Sequence, residues 1–147
     1  MPPFTQFEHY TADEVAKFIN NAPNKQCDLD SVPTWLAKQC CDILAAIFAL
    51  MANKSFDQAC FPDSHKCATV VPILKKANLD PFDLKSFRPI SNLSFISKLV
   101  ERLAVRRFQT HIADHNLLPA RQSAYRRHHS TETAVTVVLN DIMRAVD

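Results

Sequence analysis

The chain has 147 residues, 47% of them apolar and 22% charged, with a formal net charge of +2, which is typical of one soluble globular domain and excludes a disordered protein. Its most apolar window, residues 43–51, is too short to span a membrane, and the N-terminus lacks the pattern of a secretory signal. We therefore expect an intracellular protein, nuclear or cytoplasmic, with no membrane partner.

Two features of the composition are unusual. The chain contains no glycine, so turns and helix ends that need positive φ must use other residues, which we interpret as the mark of a fragment or of a drifted gene copy. Its five cysteines are odd in number and irregularly spaced, which suits a reducing compartment. Cys60, His65 and Cys67 do not complete a four-ligand zinc site, so we expect no metal.

The first of two predicted segments, residues 1–60, is helical. Thr11 and Glu14 have the spacing of a capping box, which predicts a helix over residues 12–21. A loop follows over residues 21–31, and Pro33 suits the first turn of a second helix. Apolar residues that recur at helical intervals predict its inward face, and Trp35 is expected in the core. That face consists of Leu36, Cys40, Ile43, Leu44, Ile47, Phe48 and Met51.

The second segment, residues 61–147, begins with a predicted antiparallel hairpin. Residues 67–74 are short, apolar and β-branched, which is typical of a strand, and Pro72 restricts that strand to an edge or a bulge. Residues 78–86 are predicted to turn, and residues 87–91 to form the return strand.

Two more helices are predicted after the hairpin. One begins after Ser94 and has apolar rows together with a basic outer face, formed by Lys98, Arg102, Arg106 and Arg107. Residues 115–129 are expected to be irregular, and Ser130 is a suitable N-cap for the last helix. The residues expected to face inward from that helix are Val135, Val138, Leu139, Ile142 and Val146. The predicted fold is α+β and mostly helical, with about four helices and one small antiparallel hairpin in an incomplete domain.

Positive charge is concentrated in the second segment. Residues 1–60 contain 4 Lys or Arg against 7 Asp or Glu, and residues 61–147 contain 13 against 8, which gives charges of −3 and +5. Lys75, Lys76 and Arg88 lie near one end of the predicted hairpin, where a guanidinium fork and an ammonium group could bind a triphosphate. The alternative is that these cations only keep an exposed sheet edge soluble.

A second cationic feature is the predicted loop of residues 121–129, which has three arginines, two histidines, one tyrosine and no acid. Such a loop suits the backbone of a single strand, with the tyrosine ring available for stacking on a base. The candidate template-binding residues are Arg121, Gln122, Tyr125, Arg126, Arg127 and Ser130. Two alternatives stay open: a solvated loop with Tyr125 packed inward, and a Ser130 that only caps its helix.

Three motifs follow one another in the C-terminal half of the chain: Arg88-Pro89-Ile90-Ser91, Gln122-Ser123-Ala124-Tyr125-Arg126 and His129-Ser130-Thr131-Glu132-Thr133-Ala134. In this order the series resembles the fingers region of a reverse transcriptase from a LINE-type (non-LTR, jockey-like) retrotransposon. Weaker similarity extends back to about residue 11, so the resemblance covers nearly the whole chain.

The resemblance implies a role for each cationic feature. In reverse transcriptases the fingers hairpin closes over the incoming nucleotide with an arginine and a lysine on its phosphates. Arg88 occupies the matching arginine position, and either Lys75 or Lys76 would be the lysine. The loop of residues 121–129 would contact the RNA or single-stranded template.

The same resemblance implies that the catalytic palm, with its metal-binding aspartates, would follow Asp147. We therefore expect no catalytic residue and no cofactor in this chain, since Mg²⁺ is implied only for a complete polymerase. Asp141 and Asp147 are not assigned to metal. The alternatives are a non-catalytic nucleic-acid-binding module, a helical interaction protein and an inert transposon relic.

The chain departs from the family pattern within the basic loop. The family usually has glycine where Ala124 stands and a Pro-Gly or similar pair near Arg127 and His128. If the loop keeps positive φ there, Ala124 and His128 should be strained by about 1 kcal/mol or more each.

Overall fold

The computed structural model describes residues 3–146, and within that range it has five α-helices and one two-stranded antiparallel sheet. The predicted α+β, mostly helical fold with one small hairpin is confirmed. The elements are α1 (Ala12–Asn20), α2 (Thr34–Gln39), α3 (Cys41–Asp57), β1 (Ala68–Leu74), β2 (Phe87–Leu93), α4 (Phe95–Asp114) and α5 (Thr131–Val146).

The predicted capping box at the start of α1 is present. The Thr11 hydroxyl accepts a hydrogen bond from the Glu14 backbone N–H at 3.2 Å, and the Glu14 carboxylate accepts one from the Thr11 N–H at 3.0 Å. Two backbone donors that the helix cannot satisfy internally are thereby satisfied. Val15 and Ile19, one turn apart on the same side, are fully buried.

The single second helix of the prediction is wrong, because the chain forms two helices that meet at Cys40. The backbone of Cys40 leaves the helical region, with φ −99° and ψ 27°. After this break α3 buries Ala45, Ala49 and Ala52 together with Phe48. The small alanines permit close approach of a neighbouring helix, and the contacts of α1 are mainly with α3.

Several large side chains that were predicted to be inside are therefore outside. Ile43 is 69% exposed and Ile47 is 54% exposed. Trp35, which was expected in the core, is also 54% exposed. Phe48 is buried and Leu44 and Met51 pack against the core, as predicted. The observed buried face is rotated toward Ala45, Ala49 and Ala52, so part of the predicted face is correct and Ile43 and Ile47 fall outside it.

The hairpin is confirmed, with a return strand two residues longer than predicted. Its register pairs Ala68 with Leu93 at the base and Leu74 with Phe87 at the far end, and it places Pro72 opposite Pro89. Each strand of a two-stranded sheet is an edge strand, so a proline in each interrupts no second ladder.

Helix α4 supplies the other half of the core. Phe95, Leu99, Val100 and Leu103 are buried in the same cluster as the inner residues of α1 and α3. Phe95 meets Phe48 edge to face, with 6.4 Å between the ring centroids. The tyrosine hydroxyl of the buried Tyr10 donates to the carbonyl of Leu103 at 2.9 Å, which connects the N-terminal segment to α4.

Arg107 does not belong to the predicted basic outer face of α4. Its guanidinium carbon lies 4.0 Å from the ring centroid of Tyr10, and the group donates to the His9 carbonyl at 3.0 Å and to the Glu14 carboxylate at 3.1 Å. Only 22% of the side chain is exposed. Acidic and aromatic residues near the N-terminus attract this cation, so Arg107 has a structural role.

The chain divides into two compact units, Met1–His111 and Ile112–Asp147. The second unit contains the irregular stretch before Ser130, as predicted, and then α5. No residue of α5 is buried. Its predicted inward face is wrong, because every one of those residues is exposed by at least half: Val135 52%, Val138 57%, Leu139 55%, Ile142 54% and Val146 82%.

Residues 3–146 contain no helix that is both long enough and apolar enough to cross a membrane. In the same range no three His, Cys, Asp or Glu side chains gather into a group that could hold a metal ion.

Candidate nucleic-acid interface

The end of the hairpin brings two of its three candidate cations onto one face. Arg88 lies directly opposite Ile73, and the ladder continues as the Lys75 N–H donates to the Ser86 carbonyl at 2.9 Å. Alternate residues of a strand share a face, so Lys75 lies on the face of Arg88 as its diagonal neighbour, about 7–8 Å away. Lys76 follows the strand, where this alternation ends.

The three cations differ in their present partners. The Lys75 ammonium group donates to the Lys85 carbonyl at 2.7 Å and so helps to close the hairpin loop. Among the residues that the structure describes, the exposed Lys76 and Arg88 side chains have no hydrogen bond and no ion pair. Arg88 and Lys76 can therefore bind phosphate without breaking a contact, and Lys75 keeps two further N–H donors.

Two aspartates shape the hairpin loop in place of glycine. The Asp80 carboxylate accepts from the Phe82 N–H, and the Asp83 carboxylate accepts from the Lys85 N–H, both at 2.9 Å. These turns project Phe82 and Leu84, which are 93% and 88% exposed. The sequence prediction did not include these two side chains; apolar residues alternating with aspartates inside a predicted turn were the available signal.

The basic loop presents one aromatic ring to solvent. Tyr125 is 96% exposed, so the alternative in which Tyr125 packs inward is wrong. The Tyr125 backbone has φ 60° and lies in the left-handed region. A ring in this state is available to stack on a nucleobase.

The three arginines of this loop are not equivalent. Arg121 forms an ion pair with Asp141 of α5, and Arg126 donates to the Ala120 carbonyl at 3.2 Å, which holds the loop together. Gln122 also bonds within the loop, to the Ala124 carbonyl at 3.2 Å. In the described part of the chain the exposed Arg127 side chain has no such partner, so it is the most readily available cation of the loop.

Backbone strain falls on one of the two residues expected to have it. His128 has φ 64°, in the region that favours glycine, but Ala124 does not have positive φ and the neighbouring Tyr125 does. The loop therefore keeps two left-handed residues without any glycine, at a cost of about 1–2 kcal/mol each. Tyr125 takes the conformation that the family pattern suggested for Ala124.

Ser130 caps α5 as the sequence predicted. Its hydroxyl accepts from the Thr133 N–H at 3.2 Å, and the Thr133 hydroxyl accepts from the Ser130 N–H at 2.9 Å. The serine oxygen is thus used in a reciprocal cap. This arrangement supports the capping role, and binding of phosphate by Ser130 stays a prediction.

Up to residue 146, the carboxylates of this region do not form a cluster. Asp141 is paired with Arg121, and Asp147 lies outside the described residues.

A cavity of about 650 Å³ lies in the first unit, between α3 and α4. Its wall is largely apolar, with Phe7, Phe56 and Phe61 on one side and Val100, Glu101 and Ala104 of α4 on the other.

The chain was also compared with known proteins. No protein-family model matches it. Over 136 residues, 92% of its length, it is 30% identical to a probable RNA-directed DNA polymerase from transposon BS of Drosophila melanogaster. The resemblance to retrotransposon polymerases is confirmed. Over 138 residues the chain is also 28% and 26% identical to the RNA-directed DNA polymerases from mobile element jockey of Drosophila melanogaster and Drosophila funebris.

The extent of this similarity matters in two ways. It covers 92–93% of the chain, so it is not limited to the three C-terminal motifs. The chain spans only about 15% of the length of each of these polymerases. The similarity therefore relates the chain to one segment of these polymerases, and the activity of the whole relatives does not transfer to this chain by similarity alone.

Proposed function

We propose that this chain is the fingers segment of an RNA-directed DNA polymerase, which binds template and nucleotide phosphates. The observation that carries the proposal is the similarity to such polymerases over 92% of the chain. The side chains support it, because Arg88 and Lys76 at the hairpin end and Arg127 in the basic loop are exposed and have no ion pair among residues 3–146. By this proposal Arg88, with Lys75 or Lys76, binds the nucleotide phosphates, while Tyr125, Arg127 and their loop neighbours bind the template.

The proposed chemistry is binding without bond formation. Polymerisation uses magnesium ions held by carboxylates to activate the primer hydroxyl and to stabilise the leaving pyrophosphate. We assign no residue of this chain to that role, so we propose that the isolated chain binds RNA and triphosphate but incorporates no nucleotide.

Two ligands and two variants test whether the basic loop binds template and the hairpin end binds nucleotide phosphates. The ligands are a labelled single-stranded RNA, followed by fluorescence anisotropy, and inorganic tripolyphosphate, followed by calorimetry. Replacing Arg121, Arg126 and Arg127 with alanine should weaken RNA binding and lower the slope of log affinity against log salt by about 2, since each lost phosphate contact accounts for about 0.7. Arg88→Ala should weaken tripolyphosphate binding and leave this slope nearly unchanged.

The matched control is Arg144→Ala, which removes one exposed cation of the same unit from outside the loop. Its RNA affinity should stay within twofold of wild type. Tyr125→Phe should retain binding, whereas Tyr125→Ala should lose about 1–3 kcal/mol of stacking. RNA binding that is equal in the wild type and the loop variant would contradict the proposal. A wild-type chain with no cooperative thermal transition would favour an inert relic instead.

A further inference from the structure

We propose that the exposed side of α4 is a further nucleic-acid-binding surface, in which Lys98, Arg102 and Arg106 bind successive phosphates of one strand. The inference rests on the proposed function for its ligand class but uses none of the residues assigned there. It adds a helical surface in the first unit to the hairpin end and the basic loop.

The three cations form a regular row along the helix. They are spaced four residues apart, so each lies about 6 Å further along the axis and about 40° further around it. Arg102 and Arg106 are exposed and Lys98 is half-buried. A row of this pitch can follow the backbone of an extended single strand, in which the phosphates repeat regularly.

The acids of the first unit leave this row unneutralised. Within residues 3–146, none of Lys98, Arg102 and Arg106 has an ion pair or a side-chain hydrogen bond. The nearby carboxylates of Glu8 and Glu14 are paired with Arg107.

Glu101, three residues after Lys98, is exposed at the edge of the cavity between α3 and α4, and within residues 3–146 it forms no ion pair with the row. Three free positive charges thus remain on one side of α4. Arg107 is paired with Glu14, whereas the adjacent Arg106 has no ion pair within residues 3–146.

The chemistry of the row favours a nucleic acid over an acidic protein. Protein interfaces place aromatic or aliphatic anchors at their centre and keep charges at the rim. Between Lys98 and Arg106, Val105 is the only large apolar side chain that is exposed. A surface of spaced cations with one small apolar contact fits a phosphate backbone, which needs charge and no pocket.

The test replaces Lys98, Arg102 and Arg106 with glutamine in the whole chain and measures binding of a 20-nucleotide single-stranded RNA by anisotropy at several salt concentrations. The slope of log affinity against log salt should fall by about 2, because three phosphate contacts at about 0.7 each are lost. The matched control is Arg107→Gln, which removes a paired cation from the same helix and should leave the slope within 0.3 of wild type. Arg102→Gln alone should lower the slope by about 0.7 and serves if the triple variant does not fold.

The outcomes separate this inference from the proposed function. If the wild-type chain does not bind RNA, the proposed function fails and the inference fails with it. If the wild type binds and the folded α4 variant keeps its slope, the inference is overturned while the proposed function stands. A lower slope in both the α4 variant and the loop variant, with a larger loss when the two are combined, supports two separate contact surfaces.

Discussion

The two units of this chain use similar amphipathic helices in opposite ways. In the first unit, α1, α3 and α4 bury one side of each helix in a common cluster that includes Ile19, Ala52 and Leu103. In the second unit, α5 has an equally regular apolar side, yet none of its residues is buried. Periodicity therefore reports which face a helix can bury, and burial also requires a second surface of matching shape.

Arginines show the same contrast. Arg107 of the first unit is 22% exposed and contacts a ring, a backbone carbonyl and a carboxylate. Arg121 of the second unit also pairs with a carboxylate, but its side chain is 80% exposed. Exposed pairs contribute about 0–1 kcal/mol and exchange readily, so Arg121 remains available to a phosphate whereas Arg107 does not. Burial of a cation, and not its residue type, separates the structural Arg107 from the arginines proposed to bind phosphate.

The largest effect should come from truncating a buried leucine of the first unit, and an exposed leucine of the second unit provides the comparison. Leu103→Ala should lower the free energy of unfolding by about 2–5 kcal/mol, because the residue is fully buried among α1, α3 and α4. Leu139→Ala should change it by no more than about 0.5 kcal/mol, since that side chain is 55% exposed. Urea denaturation followed by circular dichroism measures both. Equal losses in the two variants would show that α5 has a partner surface, and the contrast between the units would then be wrong.

Much of the fold could be predicted because local chemistry determines it. The Thr11 and Ser130 caps, the hairpin and the start of α4 all depend on side-chain to backbone bonds or on short-range preferences, which a sequence displays directly. The break at Cys40 and the burial of Ala49 depend on how helices approach one another. No local pattern distinguishes an alanine that packs from one that does not, so these features could not be predicted.

For the candidate site, the sequence predicted the positions of the cations but not which of them already have partners. The sequence placed Arg88 at the hairpin end and indicated a positive loop, and Arg88, Arg121 and Arg127 are exposed in the structure. It could not separate the arginines that are already bonded, Arg126 and Arg121, from the free Arg127, because that distinction depends on the path of the loop backbone. It also could not show that Arg107 turns toward the N-terminal segment, since their contacts join residues more than 90 positions apart.

Adjacent arginines of α4 offer a sharper test of how burial changes the role of a cation. Arg107→Ala should lower the free energy of unfolding by about 1–3 kcal/mol, because it removes a partly desolvated cation–π contact and leaves Glu14 without its charge partner. Arg106→Ala should stay within about 0.5 kcal/mol of wild type, since its side chain is exposed. Thermal melts at matched salt concentration provide the comparison. Two variants of equal stability would contradict the structural role of Arg107.

The smallest effect concerns the two helix caps, which differ in whether they titrate. The Glu14 carboxylate of the α1 cap has a lowered pKa, first because it accepts the Thr11 N–H and also because the Arg107 guanidinium lies beside it. The cap of α5 uses the Ser130 and Thr133 hydroxyls in the same arrangement. Neither hydroxyl ionises between acid and neutral pH.

Acid should therefore weaken the α1 cap alone, and Glu14→Gln tests this. A lowered pKa means that the charged form of Glu14 stabilises the folded chain above the pKa of the unfolded chain. That stabilisation is lost as the pH falls through the lower pKa of the folded chain.

The Glu14→Gln variant can still accept the Thr11 hydrogen bond but lacks the charge. It should therefore be less stable than wild type at pH 7 by about 1 kcal/mol or less, and this difference in stability should disappear in acid. Urea midpoints measured from pH 7 downward record that gap. A difference that stays constant with pH would show that the charge of Glu14 adds nothing to its hydrogen bonds, and the two caps would then be equivalent.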